Sequence, residues 1–263
     1  MTERNATLAR ELLTPRWIIT TLLVIAALMV MARLGFWQLE RLEERRAFNT
    51  AVQAQLDAPA LDLNQGIPTG DLPAMEYREV VARGEFDPGH EIILRNQIHD
   101  NRPGYHLLTP LRIDGTDKAV LVDRGFIPME EAQPAERAQY ARPGAVTIQG
   151  RLRQGHVPRI FGARDPELAP GQERLDAWNA VNLPRIQEQV PYELLPVYIQ
   201  AAPDPGEAAS GPIAAVDIPD ITEGSHLGYA FQWFSFAAIL AIGYPFFVRK
   251  QLRSLQPTKG GKQ

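Results

Sequence analysis

The chain contains no cysteine among its 263 residues. That excludes disulfides, thiolate metal centres, thiol redox chemistry and covalent haem attachment, so an exported domain must hold together by packing alone. Recognisable catalytic patterns are missing as well: there is no glycine-rich phosphate loop, His-Glu-x-x-His, Gly-x-Ser-x-Gly or Ser-x-x-Lys. An excess of charge of one sign is lacking too. The net charge of -4 is mild and evenly spread, which argues against a nucleic-acid partner. Of the five methionines, Met29 and Met31 sit in an apolar run, and no Met/His cluster exists to carry a soft metal ion. His90, His99, His106 and His156 read most simply as surface or turn residues.

What the chain does have is two apolar runs, one near each end. Leu227 to Val248 carries no charge, opens on His226 and closes on Arg249-Lys250. It reads as a membrane span with an ionisable residue at its mouth. The other run, Trp17–Ala32, continues as Arg33-Leu-Gly-Phe-Trp37. From Trp17 to Trp37 a helix gains about 30 Å at roughly 1.5 Å per residue, enough to cross the hydrocarbon core. A secretory signal peptide has a similar shape, but no small-residue cleavage pattern precedes Trp37, so the expectation is a retained span with Trp17 and Trp37 at the two interfaces.

Orientation follows from the flanking charges. Arg249, Lys250, Arg253, Lys259 and Lys262 follow the second run without an acid, whereas Asp217, Asp220 and Glu223 precede it. This places the tail in the cytoplasm and the long loop outside. Arg4, Arg10 and Arg16 agree for the N-terminus, against Glu3 and Glu11; those acids also argue against a mitochondrial transit peptide. The expected layout is a bacterial inner-membrane protein with both termini cytoplasmic. Residues 1–15 form a tail, 16–37 a first transmembrane helix, 38–225 a periplasmic β-rich domain with a helical N-terminal extension, 226–248 a second transmembrane helix, and 249–263 a basic tail. The fold class is membrane α with an extracytoplasmic α+β domain, two transmembrane helices flanking a mainly antiparallel β-sheet or barrel.

Within the loop, Gln38–Leu56 continues the first helix until Asp57-Ala-Pro59. Short β-like runs follow at Tyr77–Phe86, Glu91–Gln97, His106–Ile113, Lys118–Ile127, Val146–Arg153 and Leu194–Gln200. Asp114-Gly115 is a hairpin signal, and Asp87-Pro-Gly89 and Arg102-Pro-Gly104 mark turns. Glu130–Tyr140 and Asp176–Gln189 read as helices, the second interrupted by Pro184. Ala201–Pro219 reads as a flexible linker.

The membrane mouths hold the candidate site. On a helix His226, Tyr229, Ala230, Trp233, Ala237 and Leu240 share one stripe, and the small residues Ala230 and Ala237 let something flat, or another helix, approach closely. Arg33, Trp37 and Arg41 stack at i, i+4 and i+8 on the first span. Because the spans run in opposite senses, imidazole, aromatic faces and guanidinium groups finish at one membrane level. That set suits haem, with imidazole for iron, rings for the macrocycle and arginines for propionates. It also suits interfacial anchors, snorkelling arginines and a capping histidine, and spacing alone favours this second reading.

Leu34-Gly-Phe-Trp-Gln-Leu-Glu-Arg41-Leu-Glu-Glu-Arg45 and His226-Leu-Gly-Tyr229-Ala230-Phe-Gln232-Trp233-Phe234 resemble the two signatures of the surfeit-locus cytochrome c oxidase assembly family. Arg83-Gly84-Phe86, Gly104-Tyr105 with Thr109-Pro110, and Val122-Asp-Arg124-Gly125-Phe-Ile-Pro128 resemble its strand blocks, in the family's order. Arg45 stands where lysine is usual, and Gly224-Ser225 where asparagines are common. The resemblance implies a chaperone rather than an enzyme, which binds haem a transiently and assists its delivery to the catalytic subunit of a haem-copper oxidase, with haem a synthase as a further partner. The family's haem-binding histidine maps onto His226, the expected metal ligand, with Tyr229, Trp233, Trp37, Arg33 and Arg41 around it. The rival readings are an assembly scaffold that holds an oxidase subunit without binding haem, and a membrane-anchored periplasmic enzyme. Arg124 is expected to be a structural residue of the domain rather than a haem ligand.

Overall fold

The computed structural model describes residues 14–156, 165–168, 171–172, 174–204 and 211–254. The tail charges at Glu3, Arg4, Arg10, Glu11, Lys259 and Lys262, and part of the expected linker, lie outside those residues. In chain order the elements are α1 (Pro15–Leu56), β1 (Leu61–Asp62), β2 (Glu79–Phe86), β3 (Ile92–His99), β4 (Arg102–Ile113), β5 (Lys118–Pro128), α2 (Pro134–Arg137), β6 (Ala145–Gln154), β7 (Ala177–Trp178), α3 (Leu183–Gln187), β8 (Glu193–Ala201) and α4 (His226–Ser254). The chain forms two compact units, Met1–Thr50 with Ile221–Gln263, and Ala51–Asp220.

The first unit is an antiparallel pair of helices, both long and apolar enough to cross a membrane. No helix breaker separates the apolar half of α1 from Leu42-Glu-Glu-Arg-Arg-Ala47, so it runs on for 42 residues until the Asp57-Ala-Pro59 punctuation. Among the more covered residues of α1, the series Trp17, Thr21, Val24, Leu28, Met31, Gly35, Gln38, Leu42, Arg45 and Asn49 recurs at alternating intervals of four and three. On α4, His226, Ala230, Trp233, Ala237, Leu240 and Tyr244 do the same. An interval averaging 3.5 residues keeps one seam facing a partner helix and winds the pair left-handedly. Contacts along the seam fix its direction: Trp17 lies 6.3 Å from Phe247, Thr21 Oγ1 2.6 Å from Tyr244 Oη, and Phe36 5.3 Å from Phe234. At Gly35 a Cβ would stand 2.7 Å from the Phe234 ring, so only glycine admits that ring against the α1 backbone.

The second unit is an eight-stranded sheet in the order β1-β2-β6-β8-β5-β4-β3-β7. A further β2–β4 pairing, Gly84–Phe86 against Leu111–Ile113, closes β2, β6, β8, β5 and β4 into a ring. Five of the pairings are antiparallel; β1–β2, β3–β7 and β5–β8 are parallel. This matches the expectation of a mainly antiparallel barrel. β5 is buried along almost its whole length and feeds three cores, the third through Ile127 with Ile93, Leu107 and Tyr140. Val120 and Val122 face the barrel interior with Leu111, Ile113 and Ile199, while Ala119 and Leu121 face a second cluster around Trp178, Leu183 and Ile186. Burial of each large apolar side chain contributes roughly 1.5–3 kcal/mol, which is how the domain dispenses with disulfides.

Four expectations are corrected. Asp176–Gln189 is not one helix, because Ala177–Trp178 adds to β3 in parallel and only Leu183–Gln187 is helical, started by the Asn182 cap and Pro184. Glu130–Tyr140 holds just four α-helical residues between two single turns of 3-10 helix. Arg102-Pro-Gly104 is strand, and the turn lies before it at Asp100-Asn101, with φ of 48° and 59°. Asp and Asn tolerate the left-handed conformation that a two-residue hairpin needs. The segment from Ala201 to Pro219 is not all linker either: Ile213 exchanges both backbone hydrogen bonds with Phe126, at 2.8 and 2.9 Å, and Asp217 N donates to Gln200 Oε1.

Candidate functional site

His226 is the first residue of α4, half-buried on the seam. Its Nδ1 lies 2.9 Å from Gln38 Oε1, one helix contacting the other through a pair of polar side chains. An amide oxygen accepts, so in this contact Nδ1 is the donor, and Nε2 is the ring nitrogen not engaged by it. Gly224, at φ 66°, turns the chain immediately before the ring, and a Cβ there would come 3.6 Å from it. The turn is held to α1 by Arg46 donating to both carboxyl oxygens of Glu223 (2.8 and 2.9 Å) and by Arg45 and Asn49 donating to Thr222 O, both at 3.0 Å. Arg45 therefore helps hold this turn through its Nε–H.

The stripe expected on α4 largely exists, and α1 covers it. Ala230 is buried, and His226, Trp233, Ala237 and Leu240 are partly covered. Tyr229 is half exposed and belongs to another face. Arg33, Trp37 and Arg41 do share a stripe, but not the one that meets α4. Trp37 is 40% exposed, and the Arg41 guanidinium lies 5.8 Å from its ring centroid. Arg33 faces Glu40 at 3.4 Å and Arg41 faces Glu44 at 2.6 Å, so each has an acid on its own helix. Sequence reasoning missed Gln38. Its signal was available, since it is the polar member of the four-three series between Gly35 and Leu42.

The loop histidines have local partners: His90 with Asp87 at 2.7 Å, His99 with Asp100 at 3.5 Å, and His106 with Asp123 at 2.9 Å. His156 donates its backbone N–H to Val181 O. Among the described residues no group of three or more His, Cys, Asp or Glu is arranged to hold a metal ion.

Arg124 lies within β5 rather than at its end. The register steps from Leu107↔Gly125 to Leu108↔Asp123, leaving Arg124 as the extra residue of a bulge that aims its side chain inward. It is 6% exposed, donates to Tyr140 O at 2.5 Å, stands 3.7 Å from Glu91 Oε2 and lies over the Phe86 ring at 4.8 Å. Burial raises the Glu91 carboxyl above its usual range, against the opposing influence of the Thr109 hydroxyl, Arg124 and Arg137. Removing one partner of a buried pair typically costs about 3–5 kcal/mol. Arg124→Ala is expected to lower domain stability by that order, read by thermal denaturation, while leaving any haem spectrum of the folded fraction unchanged; full stability with loss of haem would contradict the structural role.

Comparison with known proteins supplies an independent reading. The SURF1 family model matches residues 25–238. A SURF1-like protein of Mycobacterium bovis is 26% identical over 253 residues, covering 95% of this chain and 90% of its own. One from Rickettsia conorii is 28% identical over 243 residues, covering 89% and 92%. Another from Monosiga brevicollis is 27% identical over 232 residues, covering 82% and 83%.

Proposed function

The chain belongs to the SURF1 family, whose membership implies a role in cytochrome oxidase assembly, and on that premise we propose that it binds haem a transiently and assists its delivery to the oxidase catalytic subunit. In this reading it is a chaperone and haem is its cargo, with haem a synthase as the donor-side partner. The observation that carries the reading is the state of His226. The Gln38 contact engages Nδ1 and leaves Nε2 as the nitrogen that would coordinate iron. A carboxamide is a weaker orienting partner than the carboxylates that often back metal-binding histidines, which suits a carrier that releases what it binds. Trp233 lies on the same face; Tyr229, Trp37, Arg33 and Arg41 flank it on exposed surfaces, the arginines already paired with acids.

Membrane placement belongs to the same proposal. The two apolar helices span a bacterial inner membrane, the termini are cytoplasmic and the β domain is periplasmic. Support comes from the bases Arg249, Lys250 and Arg253 in the last turns of α4 and the acids Asp217, Asp220 and Glu223 before it. A reporter active only in the periplasm should be silent when fused after Gln263 and active when inserted between Ala201 and Gly211; the reverse pattern would sink the topology.

The functional test is an absorption spectrum of the protein purified from cells that make haem a, with haem quantified per chain. Stoichiometric haem supports the carrier. One observation favours the scaffold reading instead: the small-residue stripe is filled by α1, and His226 already has a polar partner. Purification without haem, together with capture of an oxidase subunit, would establish the scaffold.

A further inference from the structure

Along one side of the helix pair runs a groove of about 430 Å³, formed by Met31 of α1 and by Phe236, Ile239, Leu240, Gly243, Tyr244 and Phe247 of α4. Its volume falls in the range of small-molecule sites. The one hydroxyl in its wall, that of Tyr244, is taken by Thr21 Oγ1 at 2.6 Å, so the groove presents hydrocarbon, aromatic rings and a thioether. Gly243 leaves its floor open. A Cβ built there meets nothing within 4 Å, whereas at Gly35 the ring of Phe234 already takes up the space.

The groove continues the face of α4 that carries Tyr229. Tyr229, Trp233, Phe236, Leu240, Gly243 and Phe247 follow one another at intervals of four and three, so they lie along one side of the helix. Trp233 and Phe236 meet edge to face at 6.2 Å, which joins the aromatic wall at the mouth to the head of the groove. His226 is the first residue of the same helix. Phe236 lies about 15 Å further along the axis and Phe247 about 31 Å, by the rise per residue of an α-helix. A macrocycle coordinated at His226 would cover the turns of Tyr229 and Trp233, and the groove begins where those turns end.

Imidazole, rings and arginines account for the iron, macrocycle and propionates of the cargo, and leave one part of it without a place. Haem a also carries a long isoprenoid chain, which beyond the hydroxyl next to the ring is branched hydrocarbon. Such a chain asks for an apolar channel free of unpaired polar groups, with walls that adapt to irregular shape, as methionine and aromatic side chains do. We propose, resting on the carrier reading, that this groove receives the isoprenoid chain of haem a, which runs from the mouth along α4 towards Phe247. The groove then distinguishes haems that bear the chain from those that lack it, a choice the axial nitrogen of His226 cannot make.

The test uses the full-length protein in lipid nanodiscs, titrated with ferric haem o and ferric haem b. These differ only in that haem b has a vinyl group where haem o has the isoprenoid chain. Binding is read from the Soret band, with empty nanodiscs as the reference. Haem o should bind at one per chain and at least tenfold more tightly than haem b. Gly243→Leu fills the floor of the groove and should remove that preference, while the affinity and Soret maximum for haem b stay as in the parent. Should Gly243→Leu lose haem b as well, Ile239→Trp decides, because Ile239 is 68% exposed and a larger side chain there fills the groove without displacing α1. Equal affinity of the parent for the two haems, as a groove filled by lipid acyl chains would give, overturns the proposal and leaves the carrier reading standing. So does a preference for haem o that survives in the deciding variant. Binding of neither haem overturns both.

Discussion

His226→Ala is expected to leave the helix pair and the β domain folded while removing, or strongly shifting, the haem spectrum of the purified protein, and to lower the haem a content of the assembled oxidase. The packing side of this expectation rests on Gly35, Ala230, Phe234 and the Arg46–Glu223 pair, none of which involves the imidazole. What the imidazole does contribute is one side-chain hydrogen bond at a half-buried site, worth about 0.5–1.5 kcal/mol. The loss of haem should therefore greatly exceed the loss of stability. Gln38→Leu provides the graded companion. It keeps the ligand but frees its orientation, so it should weaken haem retention by a smaller factor, on the order of 10- to 100-fold, as removal of a residue that orients a ligand typically does. If His226→Ala copurifies with the same amount of haem and an identical spectrum, His226 is a cap on α4 and the scaffold reading takes its place.

The second large effect is expected at Gly84. This residue sits where β2 leaves β6 and meets β4, the seam that closes the ring. A Cβ built there stands 1.9 Å from Arg112 O and 2.9 Å from its carbonyl carbon, and backbone cannot yield as a flexible side chain can. Even one methyl group therefore pushes β2 off β4. Gly84→Ala should cost at least about 2–3 kcal/mol, the upper end for overpacking a well-packed interior, and lower protein abundance in cells. Gly115, whose added Cβ would meet nothing within 4 Å, has φ 80° in the β4–β5 turn, so Gly115→Asn should be tolerated. A melting temperature for Gly84→Ala equal to that of the parent would show that the seam is not needed for folding.

Much of this was legible in the sequence because the relevant signals are periodic. The strands at Glu79–Phe86, Lys118–Pro128, Ala145–Gln154 and Glu193–Ala201 were anticipated within two residues, since apolar runs between turn residues depend on local pattern. The helical extension past Trp37 followed from the missing breaker. What misled were elements whose conformation is set by their neighbours. Asp176–Ala180 has helical-looking composition, yet Trp178 is fully buried only because the segment lies along β3. Arg102-Pro-Gly104 carries turn residues, but Asp100 and Asn101 had already made the turn. At the site, the stripe from His226 to Leu240 was found by period, whereas its occupant was not, because a four-three series needs the partner helix to show which face it seals. The Arg124–Glu91–Arg137 cluster joins β5, the residue that precedes β3, and α2, and no spacing within one segment reveals such a meeting.

The closed ring has a consequence for recognition. In the sheet order the terminal positions are taken by β1 and β7, each two residues long, and past Leu94 the register of β3 against β4 is irregular, with Asn96 at φ 61°. Short, kinked margins of this kind are how β proteins deny backbone hydrogen bonds to strangers. Among the described residues the domain accordingly offers no long straight edge for another polypeptide to extend. A polypeptide that meets this domain would then be engaged through side chains rather than by adding a strand, and could leave without unzipping a ladder.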